Sequence, residues 1–320
     1  MPLAHLGRDV FKALAGHVGQ CSNETTSGRE NTGVMRGIGY SLLSLATGSV
    51  LVWLDWHAGS ANPAVPFNRA AMIVVVLVLT LLPWVLGPVA PSRTARAVRA
   101  AGYVSIYALL GALTGLSRFA GSRFDHFTAF DQANWEADMR GGAVVGAVLM
   151  IVLISGYAVA VLTLTSQRMA VEARTLVVGA ACGLALALAV YAFMPVGNLS
   201  HAFVLAFLPP AALLAAGVLT RQGAIAGLCA GGAAALLLAT LTIATMVLLP
   251  GQVDLEWANP DPSVPHGTLF ELQMSVGDAA VRYQLGLLLL PVAGLVCGFL
   301  GSSFSRSRQV SEPVNAAPAG

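Results

Sequence analysis

Imidazole and carboxylate side chains are the usual ligands of zinc and the usual carriers of a proton near neutral pH. Four of the six histidines, His57, His126, His201 and His266, fall at or between the ends of apolar runs. They keep company with Asp55, Asp125, Asp131, Glu136, Asp138, Asp254, Glu256 and Asp261. Asp55-x-His57 and Asp125-His126 place both side-chain types within two residues of each other. If the chain does chemistry, Asp125, His126, His57 and His201 are the candidates to carry it. The spacings match no metal-binding motif, so no metal is assigned. Solvated loops hold such residues for solubility, and that is the reading the pattern favours.

The phosphate-binding and hydrolytic motifs are missing. There is no GxxxxGK[ST], HExxH, GxGxxG or GxSxG, and Lys12 is the single lysine. The chain is not itself an ATPase or a zincin-type protease, although a pump subunit served by a separate ATPase stays open. Cys182, Cys229 and Cys297 lie inside apolar runs, Cys21 precedes them all, and no CxxC occurs. They read as small apolar packing residues and not as a disulfide framework. No cofactor is expected, and an enzyme is the less favoured reading.

The elements that position these residues follow from composition. Of 320 residues 56% are hydrophobic and only 10% charged, with a mean hydropathy of +0.75. A soluble domain carries about 25% charge. Such an apolar surplus cannot be hidden in one water-facing globule, so lipid must solvate much of the surface. A net charge of +2, with the basic residues spread along the chain, argues against nucleic acid as a partner. Apolar runs at about 37–54, 71–90, 100–117, 142–165, 175–195, 202–220, 225–249 and 284–303 each approach the ~20 residues that cross ~30 Å of hydrocarbon. The expected fold is all-α: a polytopic integral membrane helical bundle of about eight transmembrane helices. The sixth run is the weakest, being short and interrupted by Pro209-Pro210.

Charge sets the orientation. Twelve of the 17 basic residues fall in the two tails and the second, fourth and sixth loops, and five fall on the other side. The excess of Arg and Lys on the cytoplasmic side of membrane proteins places both termini there. Trp53, Trp56, Trp135 and Tyr283 cluster at the outer ends of spans, where aromatic rings favour the headgroup level. Residues 118–141 and 250–283 are the two sizeable outer loops, and no inner loop is long enough for a soluble domain.

The domain reading is a cytoplasmic tail over 1–36, a transmembrane domain over 37–303 and a disordered cytoplasmic tail over 304–320. Leu3, Leu6, Val10, Phe11, Leu14 and Val18 recur at helical spacing, which predicts a short amphipathic helix in the first tail. Met35 is an alternative start, because composition changes just there. Sixteen arginines to one lysine, with abundant Ala, Gly, Leu and Val, suggest a GC-rich bacterial genome and hence a bacterial plasma membrane. A parallel repeat of two four-span halves, each ending in a long outer loop, is only faintly suggested.

Within the runs the pattern concerns packing more than chemistry. None has an Asp, Glu, Lys, Arg or His well inside it. A charge at that depth costs at least ~2.5–3.5 kcal/mol and is usually retained for ion or proton work. Its absence lowers the odds of proton-coupled transport and leaves passage of neutral or lipidic molecules open. Gly37, Ser41, Ser44 and Gly48 form a small-residue stripe on the first span, and Gly227 and Gly231 lie in a GxxxG series on the seventh. Such faces let helix backbones approach. Pro209 and Pro210 break the sixth span, and each frees a carbonyl that must find another partner. In transporters such breaks often line a substrate path, and a packed kink is the plainer alternative.

Three functional readings follow. The first is a permease-like bundle that binds or moves a small neutral or lipidic molecule. The second is a membrane-embedded interaction subunit, docking a membrane or cytoplasmic protein partner through small-residue faces or the arginine-bearing inner loops. The third is an outer-leaflet enzyme using the His and Asp residues of the outer loops. The lipid bilayer is a partner in all three, and a molecular activity is not legible in the residues.

Overall fold

A computed structural model describes residues 27–57, 65–86, 92–124, 129–166, 169, 171–193, 199–248 and 269–311. Side chains at several helix ends (27–38, 65–66, 117–124, 129–143, 193, 199–206, 269–282 and 306–311) and at 246 lie outside the description. The described residues form eight helices: α1 Ser27–His57, α2 Val65–Leu86, α3 Arg93–Phe124, α4 Ala129–Leu164, α5 Ala173–Phe193, α6 Leu199–Val218, α7 Gly223–Leu248 and α8 Leu269–Ser311. No strand occurs among the described residues. The chain is an all-α membrane bundle.

Six of the helices are long and apolar enough to cross a membrane: α2, α3, α4, α5, α7 and α8. The first and sixth runs are not in that set, which is drawn from the described side chains alone. In α1 the leucines and valines are diluted by Ser41, Ser44, Thr47, Gly48, Ser49 and Asp55. In α6 the apolar stretch with described side chains is short, Phe207–Val218, although the helix itself runs 20 residues.

The outward faces are apolar. Val144, Val145, Val148 and Val152 on α4, Leu77, Leu81 and Val85 on α2, and Leu288, Leu289, Val292 and Val296 on α8 are all exposed. In water such faces would aggregate; in lipid they meet their solvent. Polar groups are satisfied locally. The Thr80, Thr114, Thr240 and Thr242 hydroxyls donate to the carbonyls four residues back, at 2.7, 2.9, 2.6 and 2.6 Å.

Helix α7 is the hub, and its sequence explains why. It is the most buried of the six long spans and contacts α3, α5, α6 and α8. Its Gly and Ala positions let four neighbours come close. Toward α8 a Cβ built on Gly227 would fall against the carbonyl of Gly294, and one on Gly231 against the carbonyl of Leu290. Toward α5 a Cβ on Gly179 would lie 2.7 Å from the Ala226 carbonyl oxygen. One core gathers Leu79, Ile106, Leu109, Ile154, Leu162, Ile243 and Leu287 around α3 and α4. The other gathers Leu186, Ala187, Leu213, Ala226 and Ala230 from α5, α6 and α7.

The prolines sit inside continuous helices: Pro83 in α2, Pro209 and Pro210 in α6, Pro291 in α8. Pro291 cannot donate to Leu287, four residues back. That carbonyl instead accepts the Tyr157 hydroxyl of α4 at 2.7 Å. The carbonyl freed by the proline therefore has its own partner from a neighbouring helix.

Candidate functional site

The site with the most chemical content lies between α1 and α2. Ser41, Gly48 and Asp55 are spaced by seven, so they share one face of α1. Each meets α2, which runs antiparallel. The Ser41 hydroxyl donates to the Thr80 carbonyl at 2.8 Å. A Cβ on Gly48 would run into the Val76 side chain. Asp55 pairs with Arg69 at 3.1 Å. Ser44, between the first two, offers its carbonyl to the Tyr107 hydroxyl of α3 at 3.0 Å. Ser41, Ser44 and Gly48 are buried, whereas the surroundings of Gly37 lie outside the description.

The Asp55–Arg69 pair closes the far end of this seam. Asp55 is only 2% exposed, a burial that an isolated carboxylate would not tolerate. Arg69 Nε donates to Asp55 Oδ2 at 3.1 Å, and Nη2 donates to the Asp55 carbonyl at 3.2 Å. The guanidinium also lies 4.4 Å over the Trp56 ring, a cation–π contact. Next to it, His57 Nδ1 donates to the Trp53 carbonyl at 2.9 Å, because a carbonyl can only accept. The two rings pack at 4.5 Å. His57 so caps the last turn of α1.

Alongside the seam runs a groove of about 420 Å³ that opens to the bundle surface. Leu45, Val52 and Trp53 of α1 and Ile73, Val76 and Leu77 of α2 form its walls, with Trp56 and His57 at one end. That volume falls in the 300–1,000 Å³ range of small-molecule sites. The walls can hold an apolar chain; His57 lies at one end, and Arg69 stacks over Trp56 beside it.

The other sequence candidates are placed as follows. Asp125 and His126 lie outside the described residues. His201 is in α6, but its side chain is outside the description too. Pro209 and Pro210 are half-buried on α6, flanked by Leu208 and Ala212, which pack on the second core. Gly227 and Gly231 are consumed in the α7–α8 contact within this chain. Among the described residues no group of three or more His, Cys, Asp or Glu could hold a metal.

Two features were hidden in the sequence. Asp55 reads there as a loop carboxylate beside His57, yet it is the buried partner of Arg69. The clue available was an acid and a base flanking the short segment between the first two apolar runs. The second is Arg99, 2% exposed inside the Arg93–Leu116 span. The hydropathy of the third run hides it, because that run starts at residue 100. The helix starts earlier because the Ser92 hydroxyl accepts the Ala95 N–H at 3.0 Å, an N-cap. Arg99 Nε donates to Thr165 Oγ1 at 2.9 Å, and Nη2 reaches the carbonyls of Leu162 and Thr165 at 3.4 and 3.3 Å. Arg99 thus caps the C-terminal end of α4. The Tyr103 hydroxyl, one turn on, and that of Thr175 are buried without a hydrogen-bond partner among the described residues. This second polar region serves to hold α3 against α4. Neither a family model, nor a curated protein, nor a solved structure matches this chain.

Proposed function

We propose that this chain is a multi-pass protein of the bacterial plasma membrane that binds or moves a lipidic molecule in the groove between α1 and α2. In this reading it has eight spans, with both termini in the cytoplasm. The observation that carries it is the groove itself: apolar walls, a surface-facing opening, and Trp56 and His57 at one end. From Leu45 to His57 the groove follows twelve residues of α1, about 18 Å at 1.5 Å per residue. One leaflet of a ~30 Å hydrocarbon core is about 15 Å deep. A chain entering from one leaflet would therefore lie along the full groove, with its polar end beside Trp56.

The test is to fill the groove. Leu77 is half-exposed on its wall, so Leu77→Trp should occlude it without disturbing the seam beneath. The fraction of spin-labelled lipid immobilised by the purified protein should fall in the variant. Equal immobilisation by wild type and L77W would sink the reading.

The second reading, an interaction subunit, draws on one observation. Helix α4 is the least buried of the six long spans, and its valine ridge faces outward. Bulky substitutions at Val145 and Val148 that changed what co-purifies from membranes, with lipid immobilisation unaltered, would favour it.

A further inference from the structure

We propose that the occupant of the α1–α2 groove is a membrane phospholipid whose phosphate is held by Arg69, an inference that rests on the lipid-binding reading above. The polar end of the groove is not symmetric in charge. The Asp55 side chain lies beneath the surface at 3% exposure, while that of Arg69 keeps 20%. Arg69 does not line the groove itself, but its guanidinium lies over Trp56, which does, so the charge exposed beside that end is the guanidinium and not the carboxylate.

A guanidinium carries five N–H donors in a planar fork. Asp55 engages Nε through Oδ2 and Nη2 through its carbonyl. Nη1 enters no hydrogen bond among the described residues. The two bonds to Asp55 and the Trp56 ring below fix the plane of the fork, so the remaining donors have a set direction. A planar fork of this kind matches phosphate oxygens, and charge-assisted bonds to it are strong. A neutral lipid would fill the walls and leave these donors to water. A phosphate-bearing lipid uses both parts at once.

The depth agrees. Trp53 and Trp56 are both more than half-exposed, and tryptophan at a span end favours the headgroup level. Arg69, stacked on Trp56, stands at the level where a phospholipid carries its phosphate. The chain below it then follows Val52, Ser49 and Leu45 toward mid-membrane. Asp55 acts here as a positioning residue. It holds the fork still and is not itself a contact for the ligand.

The full-length protein in detergent micelles is titrated with dioleoyl phosphatidic acid and with dioleoylglycerol, and bound lipid is read by native mass spectrometry. Wild type should prefer the phosphate-bearing lipid by about tenfold or more, the equivalent of one good charge-assisted bond. Arg69→Gln leaves Asp55 buried without its partner and can unfold the hairpin, so the decisive variant is Asp55→Asn combined with Arg69→Gln. In that protein the preference should collapse to within about threefold while dioleoylglycerol binding is unchanged. Arg69→Lys, with charge but no fork, should fall between. Millimolar inorganic phosphate should not displace the lipid, and if it does the lipid is not the phosphate source. A tenfold preference surviving in the double variant overturns the Arg69 assignment and leaves the lipid-binding reading standing. If neither lipid binds wild type, or Leu77→Trp leaves both equally bound, the lipid-binding reading itself fails.

Discussion

Replacing Gly227 by alanine should open the seam between α7 and α8. The methyl group would meet the Gly294 carbonyl oxygen deep inside contact distance. It would also lie 2.8 Å from Gly294 C and 2.8 Å from Gly298 Cα. All are backbone atoms, so none can swing away as a side-chain tip would. Carbon atoms rest at about 3.5–4.0 Å, so the helices must part locally by roughly 1 Å, and a gap of that size forfeits a quarter to a half of each dispersion well. Over-packing costs typically 1–3 kcal/mol. Gly217, Gly223, Gly231 and Gly301 are also in backbone contact across helices, which puts Gly227 at the upper end, about 3 kcal/mol. Alanine returns up to about 1 kcal/mol of helix propensity over glycine. The net loss should be about 2 kcal/mol. The matched control lies in α8 itself: a Cβ on Gly286 meets nothing within 4 Å, so Gly286→Ala should be neutral or stabilising. Reversible unfolding in mixed micelles reads both. If G227A is as stable as G286A, the close backbone approach drawn here is wrong.

Other outcomes follow from single contacts. Tyr157→Phe removes the donor that serves the carbonyl freed by Pro291 and should cost about 1–2 kcal/mol. In a Pro291→Ala background the helix supplies its own N–H, so the same change should cost clearly less, a coupling that a double-mutant cycle measures. Arg99→Leu strips three hydrogen bonds from Thr165 and Leu162 and should destabilise the bundle by about 2–3 kcal/mol, with faster amide exchange in the last turn of α4. Reporter tags at both termini should read cytoplasm, while single cysteines placed in 118–141 and 250–283 should react with an impermeant reagent from outside. A C-terminal tag found outside would mean that α6 does not cross.

The bundle was legible because lipid leaves only helices as an economical way to satisfy backbone groups in a single apolar run. Length and hydropathy therefore mark α2, α4, α5, α7 and α8 with little ambiguity. In α1 the small polar residues that let it pack closely also lower its hydropathy. The face shared by Ser41, Ser44 and Gly48 is visible as spacing, but spacing does not say which helix it meets. That depends on Thr80 and Val76 of the next helix and on Tyr107 further on. Pair contacts over long separations were not legible at all. Tyr157 and Leu287 lie 130 residues apart, and nothing local at either position names the other. The groove belongs to the same class, since it is the space left by two helices whose contact is set beneath it. Arg99 was missed for a different reason. A hydropathy window averages one arginine against its apolar neighbours and places the boundary beside it.

The placement of Arg99 has a consequence for how the chain enters the bilayer. Helix α3 is the least apolar of the six long spans, and it carries this arginine one and a half turns into the helix. Two groups that bond it, the carbonyls of Leu162 and Thr165, lie at the C-terminal end of α4 and are synthesised more than sixty residues later. Until they arrive, the arginine lacks these two partners, which favours a shallow α3. Settling of α3 to its final depth is thus tied to the arrival of α4, and the two should partition from the translocon as a hairpin. A chain truncated after α3 would leave that helix stalled at the membrane surface on the arginine side.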